Sequence, residues 1–433
     1  MVEFTQEKVS VQDLVLGMYV ARLDRPWIGT PFPIQGFHIK SPDEIRTLGN
    51  YCRYVYVDMV KSKIEATATP VANGKPARSG RKSRKARAYV NLKVDESSYA
   101  RTRSIRQEIS TAGNLQRDMA AAVDSVMKEI ASGKPANIPA TRKVANRMID
   151  SILRNPDASI WIARVRDKDT YTYGHSVRSS VWAITFGRHL GLRKERLENL
   201  AMGVLLSEVG YTRLPTEILT RQEGLTAEEH EVMKKHVEYS VEILREIQGI
   251  NEDILWTVRT HHERYNGSGF PKGLRGNQIP LLGKIAGIVD FYDAVIAPRF
   301  DEEALSPADA MARLHDMRDE EFQAELVDEF IQAIGIYPTG SLIELSTGEV
   351  GIITEQNHDR RLRPRVMLIL DRDKQPMKKA TEIDLLTYTQ DAEGQPVDIQ
   401  KGLPDGAYGI DLTQFRSNIL SRLLGRGHTL FRH

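Results

Sequence analysis

Residues 260–274 read Thr-His-His-Glu-Arg-Tyr-Asn-Gly-Ser-Gly-Phe-Pro-Lys-Gly-Leu, a predicted helix end followed by a glycine-rich loop. The helix before this stretch has Ile254 and Leu255 on its apolar face. His261 and His262 stand seven residues later, so both imidazoles continue that face toward the core. Because an unmet buried hydrogen bond costs about 1–3 kcal/mol, the pair predicts a polar site inside a helical domain.

Other residues of the helical middle could share a ligand with this histidine pair. They are His175, His236 and Asp290. A metal ion held by neutral imidazoles and a carboxylate is the simplest common partner, and Fe, Mn, Co, Ni or Zn would suit these ligands. Asp293 follows Asp290 by one helical turn and could orient a ligand or lie on a solvated edge. For each single histidine, an ordinary hydrogen-bonded core position is the alternative.

The loop after the histidine pair could hold a nucleobase. Its glycines at 267, 269 and 273 permit close backbone approach, and Phe270 and Pro271 supply a rigid apolar wall. The alternative is a turn that only reverses the chain.

Changes of hydrophobic period predict a multidomain chain with a small α+β module, an all-α core and a small β module. The predicted segments are an α+β accessory module at 1–65, a basic flexible linker at 66–96, a connecting amphipathic helix at 97–134, the helical metal-binding domain at 140–336, a β module at 337–389 and a loosely ordered tail at 390–433. Within the first module, Leu14–Val20 and Tyr54–Val57 are predicted strands, and Ser41 caps a helix. Later predicted elements are strands at Leu342–Leu345, Val350–Ile353 and Arg365–Leu370 and a terminal helix at Leu412–Leu424.

The composition is that of a globular protein without a membrane span. The 433 residues are 41% hydrophobic and 27% charged, and no run of about 18 apolar residues occurs. Residues 1–8 lack the apolar core of a secretory signal, and the single cysteine, Cys52, cannot form an internal disulfide. We therefore expect a cytoplasmic protein.

Positive charge is concentrated between residues 71 and 90, which hold seven lysines and arginines and no acid. Without them the chain would be slightly acidic, which argues against a nucleic-acid binder. The amphipathic helix at 97–134 could pair with its copy in a homodimer or cover its own core.

Together with Ile279-Pro-Leu281 and Val289-Asp-Phe-Tyr-Asp-Ala294, the stretch that begins at Thr260 resembles the HD-GYP family of bacterial cyclic di-GMP phosphodiesterases. The likeness extends from about residue 171 to 299. Residues 9–60 are similar to a domain of unknown function often found before it. The resemblance implies a helical hydrolase whose metal ions activate water against cyclic di-GMP, giving pGpG or GMP.

Carried over one residue at a time, the resemblance implies a set of metal ligands and groups around the reacting phosphate. The implied ligands are His175, Glu208, His236, His261, His262 and Asp290. Asp293 resembles the family's water-orienting aspartate, and Arg299 its phosphate-contacting arginine. Gly269, Phe270 and Pro271 stand at the Gly-Tyr-Pro signature, where Phe keeps the stacking face and loses the hydroxyl.

One motif departs from the family. Where the family has His-Asp and then Lys three residues after the Asp, this chain has Ser207, Glu208 and Tyr211. Ser is a poor ligand, whereas Glu still offers a carboxylate. The metal position served by the three imidazoles of His236 and the pair keeps its ligands, while the other position has lost one. We therefore expect about one transition-metal ion per chain, with Fe or Mn favoured and other divalent ions feasible.

Two functions stay open at this point. The first is a signalling protein with impaired catalysis that binds metal and either cyclic di-GMP or a partner such as a diguanylate cyclase domain. The second is an active metal-dependent phosphodiesterase that uses Glu208 as the bridging carboxylate and Arg299 on the phosphate. A metal-free helical scaffold is disfavoured, because scaffolding alone does not require inward-facing histidines.

Overall fold

The computed structural model describes residues 6–25, 30, 32, 36–59, 62, 99–165, 171–219, 225–297, 303–357 and 360–412. The chain forms two compact units, Met1–Asp95 and Glu96–His433. The predicted basic linker at 66–96 lies outside the described residues, and so does the predicted terminal helix beyond Leu412. Among the described residues, no helix has the length and apolar character needed to cross a membrane.

The described residues of the first unit form a four-stranded antiparallel sheet and one α-helix, which confirms the predicted α+β class. Its elements are β1 (Gln6–Ser10), β2 (Tyr19–Leu23), β3 (Phe37–His38), α1 (Pro42–Tyr51) and β4 (Tyr54–Asp58), with strand order β1-β4-β2-β3. Helix α1 starts at Ser41, whose hydroxyl and the side chain of Glu44 form a capping box. The predicted strand at Leu14–Val20 is wrong over most of its length, because a turn at Gly17, with φ of 86°, precedes β2.

The second unit has a helical core, as the period of its apolar residues predicts. Its helices are α2 (Ile105–Ala131), α3 (Ile138–Arg154), α4 (Pro156–Arg164), α5 (Tyr171–His189), α6 (Lys194–Leu206), α7 (Thr216–Leu219), α8 (Ala227–Lys234), α9 (His236–Arg245), α10 (Glu252–Thr260), α11 (Leu281–Ile296), α12 (Pro307–Asp316) and α13 (Ala324–Ile334). Buried rings of Trp182, Tyr292, Phe186 and Phe330 meet edge to face, with centroids 5.2 to 5.4 Å apart. These contacts lock α5, α11 and α13 together.

The apolar stripe of α2 is covered by the same chain. Leu115 and Met119 are buried, and α2 packs on α3, α4 and α5. Gln116 donates from Nε2 to the carbonyl oxygen of Ser159 at 2.8 Å. This packing corresponds to the intramolecular alternative for the amphipathic helix.

A five-stranded antiparallel sheet forms the predicted β module. Its strands are β5 (Leu342–Leu345), β6 (Val350–Glu355), β7 (Arg365–Leu370), β8 (Pro376–Asp384) and β9 (Ile399–Leu403), in the order β8-β7-β6-β5-β9. Strand β9 lies in the segment 390–433, which the sequence predicts to be loosely ordered. Only Leu403 is buried in β9, so its hydrophobic pattern is weak and the pairing with β5 supplies the order.

A buried carboxylate joins α2 to α3. Glu108 is fully buried and accepts hydrogen bonds from Arg154 Nη2 at 2.5 Å, Arg154 Nε at 3.0 Å and Ser151 Oγ at 2.7 Å. Arg103 adds a contact at 3.3 Å. Burial opposes ionisation, but the hydrogen bonds from Arg154 and Ser151 outweigh it and lower the pKa of Glu108.

We expect Glu108→Gln to destabilise the second unit by about 3 kcal/mol near pH 7, because it removes a fully buried carboxylate and leaves the half-buried Arg154 without its counter-charge. A carboxyl group with a lowered pKa stabilises the fold above its unfolded-state pKa of about 4.3. The difference from wild type should therefore shrink as pH falls below about 4. Urea unfolding followed by circular dichroism measures this. The control is Asp124→Asn, whose exposed pair with Lys128 on the same helix should change stability by less than about 1 kcal/mol; an equal effect of the two variants would contradict the prediction.

Candidate metal centre

Four potential ligands meet where α6, α9 and α10 begin or end. They are Glu208, His236, His261 and His262, and one ligand atom from each lies within 4.8 Å of the others. Glu208 follows the end of α6, and His236 is the first residue of α9. The histidine pair directly follows Thr260, the last residue of α10, and so lies just past the helix rather than on it. We refer to these four residues as the histidine cluster.

Close approach of two backbone segments brings Glu208 to His236. A Cβ atom at Gly210 would collide with the carbonyl oxygen of His236, so the turn after Glu208 requires glycine. Gly210 N donates to Ser240 Oγ at 2.8 Å, and that hydroxyl donates to the carbonyl oxygen of Ser207 at 2.6 Å. These bonds hold α9 against the end of α6.

Two ring nitrogens of the histidine cluster are available to bind an ion. The Nδ1 atoms of His236 and His261 lie 2.6 Å from the carbonyl oxygens of Met233 and Val258, respectively, and therefore carry the protons. Both Nε2 atoms are buried and lack a hydrogen-bond partner among the described residues. Glu208 oxygens lie 3.8 Å from Nε2 of His236 and 3.4 Å from Nε2 of His261. Two such imidazoles beside a carboxylate fit a divalent transition metal.

The protonation states of the histidine cluster follow from burial and mutual charge. Burial lowers the pKa of His236, and burial together with the neighbouring His261 holds the pKa of His262 well below its usual value. Burial opposes ionisation of Glu208, but the three imidazoles outweigh it and hold its pKa well below the usual range. The carboxylate of Glu208 in turn raises the pKa of His261 against the effect of burial. Near pH 7 the cluster thus offers an ionised carboxylate and two neutral imidazoles, the forms that bind metals.

His175 lies between two carboxylates of α11. Its Nδ1 is 2.8 Å from Asp293 Oδ2, and its Nε2 is 2.9 Å from Asp290 Oδ1. Burial opposes protonation, but the two carboxylates outweigh it and raise the pKa of His175 to about 10. The other oxygen of Asp290 lies 3.5 Å from Nδ1 of His262. Both nitrogens of His175 are therefore occupied, and Asp290 connects this group to the histidine cluster.

A small cavity lies between the two groups. Its lining residues are His175, Ser176, Ser179, Val204, Ser207, His261, Ala286 and Asp290. The hydroxyls of Ser176 and Ser179 are buried and have no partner among the described residues. Ser207 donates to the carbonyl oxygen of Val204 at 2.9 Å and contacts Glu208 Oε1 at 3.2 Å. Hydroxyl groups thus line the place for which the resemblance implies a histidine ligand.

The glycine-rich loop places an aromatic ring on the histidine cluster. Phe270 stacks on His262, with centroids 4.6 Å apart and an interplanar angle of 26°. A Cβ atom at Gly269 would collide with the carbonyl oxygen of His262, so the loop can approach only with glycine there. Pro271 follows the ring, and Lys234 Nζ lies 5.6 Å from the Phe270 centroid. The Gly-Phe-Pro segment therefore borders the cluster.

The two remaining residues of the implied site differ in where they lie. The Tyr211 ring is 4.6 Å from that of His236, so Tyr211 borders the histidine cluster. Arg299 lies outside the described residues.

Comparison with known proteins identifies the domains around this site. A family model described as an HD domain matches residues 160–326, one described as a domain of unknown function (DUF3391) matches 6–141, and one described as a KOW domain associated with HD domain matches 342–390. A cyclic di-GMP phosphodiesterase of Pseudomonas aeruginosa is 27% identical over 86% of this chain and 87% of its own length. The chain contains an HD domain, and the relatives that match it include cyclic di-GMP phosphodiesterases of the HD-GYP type.

Other relatives match the HD-GYP region and a smaller part of their own length. The cyclic di-GMP phosphodiesterase response regulator of Xanthomonas campestris is 34% identical over 38% of this chain and 44% of that protein. A cyclic di-GMP phosphodiesterase of Borreliella burgdorferi is 26% identical over 46% of this chain and 52% of that protein. HD domains bind divalent metals, and the histidine cluster provides the HD domain of this chain with a candidate site for one.

Sequence reasoning did not assign three residues that organise the site around the histidine cluster. Arg178 and Trp182 both donate to Asp293, and their spacing from His175 is the signal that could have found them. Glu263 is buried and accepts from the backbone amides of Lys272 and Leu274, each at 2.8 Å. Because Glu263 directly follows the histidine pair, the sequence indicated only that it belongs to the loop.

We expect Glu263→Ala to loosen the loop without unfolding the helical core. Each charge-assisted hydrogen bond contributes about 1.5–3 kcal/mol, so amide exchange at Lys272 and Leu274 should accelerate by about tenfold or more. Hydrogen exchange with mass spectrometry measures this. Glu238→Gln is the control, since Glu238 contacts the same loop only through the exposed ammonium group of Lys272. Unchanged exchange in the loop of Glu263→Ala would contradict the prediction.

Proposed function

We propose that this HD-GYP protein binds one divalent transition-metal ion in the histidine cluster and acts in cyclic di-GMP signalling with impaired hydrolysis. One observation carries the proposal. The Nε2 atoms of His236 and His261 are buried, lack a hydrogen-bond partner among the described residues and face the carboxylate of Glu208. His175, by contrast, has both nitrogens occupied by carboxylates.

The unpartnered ring nitrogens favour a metal over an empty polar core. Two buried ring nitrogens without hydrogen-bond partners among the described residues would cost about 1–3 kcal/mol each, and a cation at this place would satisfy both. Glu208 and the three histidines would hold the ion, and Fe or Mn is favoured. When bound, such an ion supplies Lewis acidity and lowers the pKa of a coordinated water.

Three features support impaired hydrolysis. Ser207 supplies a hydroxyl, already bonded to the carbonyl oxygen of Val204, at the place of a histidine ligand. Tyr211 supplies an uncharged ring at the place of a lysine, so the phosphate loses a point charge. His175 and Asp290 are hydrogen-bonded to each other, so a second ion would have to break that contact.

The nucleotide is proposed from the relatives and from the loop. Proteins named cyclic di-GMP phosphodiesterases match the region that contains the cluster. The Phe270 ring, which borders the cluster and is only partly buried, offers a face for a base. A diguanylate cyclase domain is the proposed protein partner.

An active phosphodiesterase is the second candidate. The observation that favours it is the placement of Glu208, whose two oxygens face different imidazoles and so could bridge two ions. Metal stoichiometry and turnover of the purified chain separate the two candidates.

We expect about one Fe or Mn ion per chain after anaerobic purification, measured by elemental analysis. His236→Ala and His261→Ala should each lose most of it, because each removes an imidazole ligand. His230→Ala changes an exposed histidine on the neighbouring helix α8 and should keep the ion. Wild-type protein with no metal, or with two fully occupied ions, would contradict the one-metal proposal.

Turnover of cyclic di-GMP should lie on the order of 100-fold or more below that of an HD-GYP enzyme with an intact His-Asp motif. The reason is that a lost metal position removes several kcal/mol of charge stabilisation from the transition state. Ser207→His combined with Glu208→Asp should raise metal content and turnover together. Ser207→Ala with Glu208→Asp is the matched control, since it adds no imidazole. A wild-type rate equal to that of the enzyme with an intact His-Asp motif would contradict impaired hydrolysis and favour the second candidate.

A further inference from the structure

One helix supplies every hydrogen bond that the side chain of Asp293 accepts among the described residues. The donors are His175, Arg178 and Trp182, which stand at positions i, i+3 and i+7 of α5 and so share one face. Asp293 itself lies on α11. The contact therefore joins two helices through a single carboxylate.

The four lone-pair positions of the Asp293 carboxylate are all used. Oδ1 accepts from Arg178 Nε at 3.0 Å and from Trp182 Nε1 at 3.0 Å. Oδ2 accepts from His175 Nδ1 at 2.8 Å and from Arg178 Nη2 at 2.8 Å. A carboxylate offers about four such positions, and Asp293 is 0% exposed. No lone pair remains for a water molecule or a substrate.

We infer that Asp293 is a positioning residue for His175 and that Arg178 and Trp182 hold it in place. The inference deepens the proposed function and rests on it, because it concerns the support of the same metal centre. It also differs from the role that the family resemblance implies, in which this aspartate orients the reacting water.

The positioning acts through the orientation of the imidazole. An acceptor at Nδ1 requires His175 to carry a proton there, which directs Nε2 toward Asp290 at 2.9 Å. Asp290 in turn reaches Nδ1 of His262 in the histidine cluster, at 3.5 Å. Through His175, this face of α5 thus helps to set the orientation of the Asp290 carboxylate relative to the histidine cluster.

Trp182 has a natural comparison in Trp161. Both side chains are fully buried in the second unit. The indole N–H of Trp182 donates to Asp293, whereas that of Trp161 has no partner among the described residues. Replacing either residue with Phe removes the same atoms from the core, and only the first change removes a donor from Asp293.

The first test reads the proton on His175 directly. Full-length chain labelled with ¹⁵N-histidine is freed of metal with a chelator, and long-range ¹H–¹⁵N spectra report which ring nitrogens carry protons. His175→Gln identifies the signals. We expect Nδ1 protonated in wild type and unprotonated in Asp293→Asn. Trp182 Nε1 and Arg178 Nε can only donate and both meet Oδ1, so the amide oxygen takes that place. The amide NH₂ then takes the place of Oδ2, beside His175 Nδ1 and Arg178 Nη2, where the ring nitrogen can accept from it. An Nδ1 that keeps its proton in Asp293→Asn would overturn the inference.

The second test uses Mn²⁺ as the probe and does not depend on Asp293→Asn folding. Asp290 is the outer partner of the proposed ligand His262, and loss of such a partner typically changes metal affinity by about 10–100-fold. Trp182 acts on Asp290 only through Asp293 and His175, so its effect should lie at the lower end of that range. We expect Trp182→Phe to weaken Mn²⁺ binding about tenfold in chelator competition, and Trp161→Phe to leave it within about twofold of wild type. Equal affinities of the two variants would overturn the role of Trp182. Failure of wild type to bind Mn²⁺ would refute the proposed metal centre instead, while the spectra would still test the positioning of His175.

Discussion

Compensation of buried charge is the constraint on which this helical core depends. Glu208, Asp290 and Asp293 are ionised groups in places that largely exclude water. Each would cost several kcal/mol if left alone, so each faces imidazole, guanidinium or indole groups from neighbouring elements. The helices α5, α6, α10 and α11 must therefore meet at this level of the core, and the aromatic cluster of Trp182 and Tyr292 holds two of them there.

The buried carboxylates are compensated in two different ways, and this difference determines which part of the site can bind a metal ion. Around Asp293 and His175, the protein satisfies its own polar groups with hydrogen bonds between helices. Around Glu208, the Nε2 atoms of two histidines remain without protein partners among the described residues. One half of the site thus has its polar groups hydrogen-bonded within the protein, and the adjacent half has two ring nitrogens that an external cation could bind. Asp290 belongs to both, since its two oxygens face His175 and His262.

Most of the architecture could be predicted from the periodicity of apolar residues and from capping signals. The helical core, the strands β5 to β7 and the capped helix α1 all follow from such local patterns. Strand β9 could not be predicted, because its order comes from pairing with β5 rather than from its own residues. In the site, the inward placement of the histidines could be predicted from helical spacing. The contacts of Arg178 and Trp182 with Asp293 could not, because they depend on the packing of α5 against α11 and join residues more than 100 positions apart.

The hydrophobic core shared by α2 and the β module has a consequence for how the chain is made. Ile105 and Ile109 at the start of the second unit pack in one cluster with Leu403 and Ile410 near its end, and Arg164 pairs with Asp405 at 2.7 Å. During synthesis from the N-terminus, the first turns of α2 therefore emerge long before the late residues of this cluster. Ile105 and Ile109 stay partly uncovered until the last part of the unit leaves the ribosome, and exposed apolar surface in that interval favours aggregation.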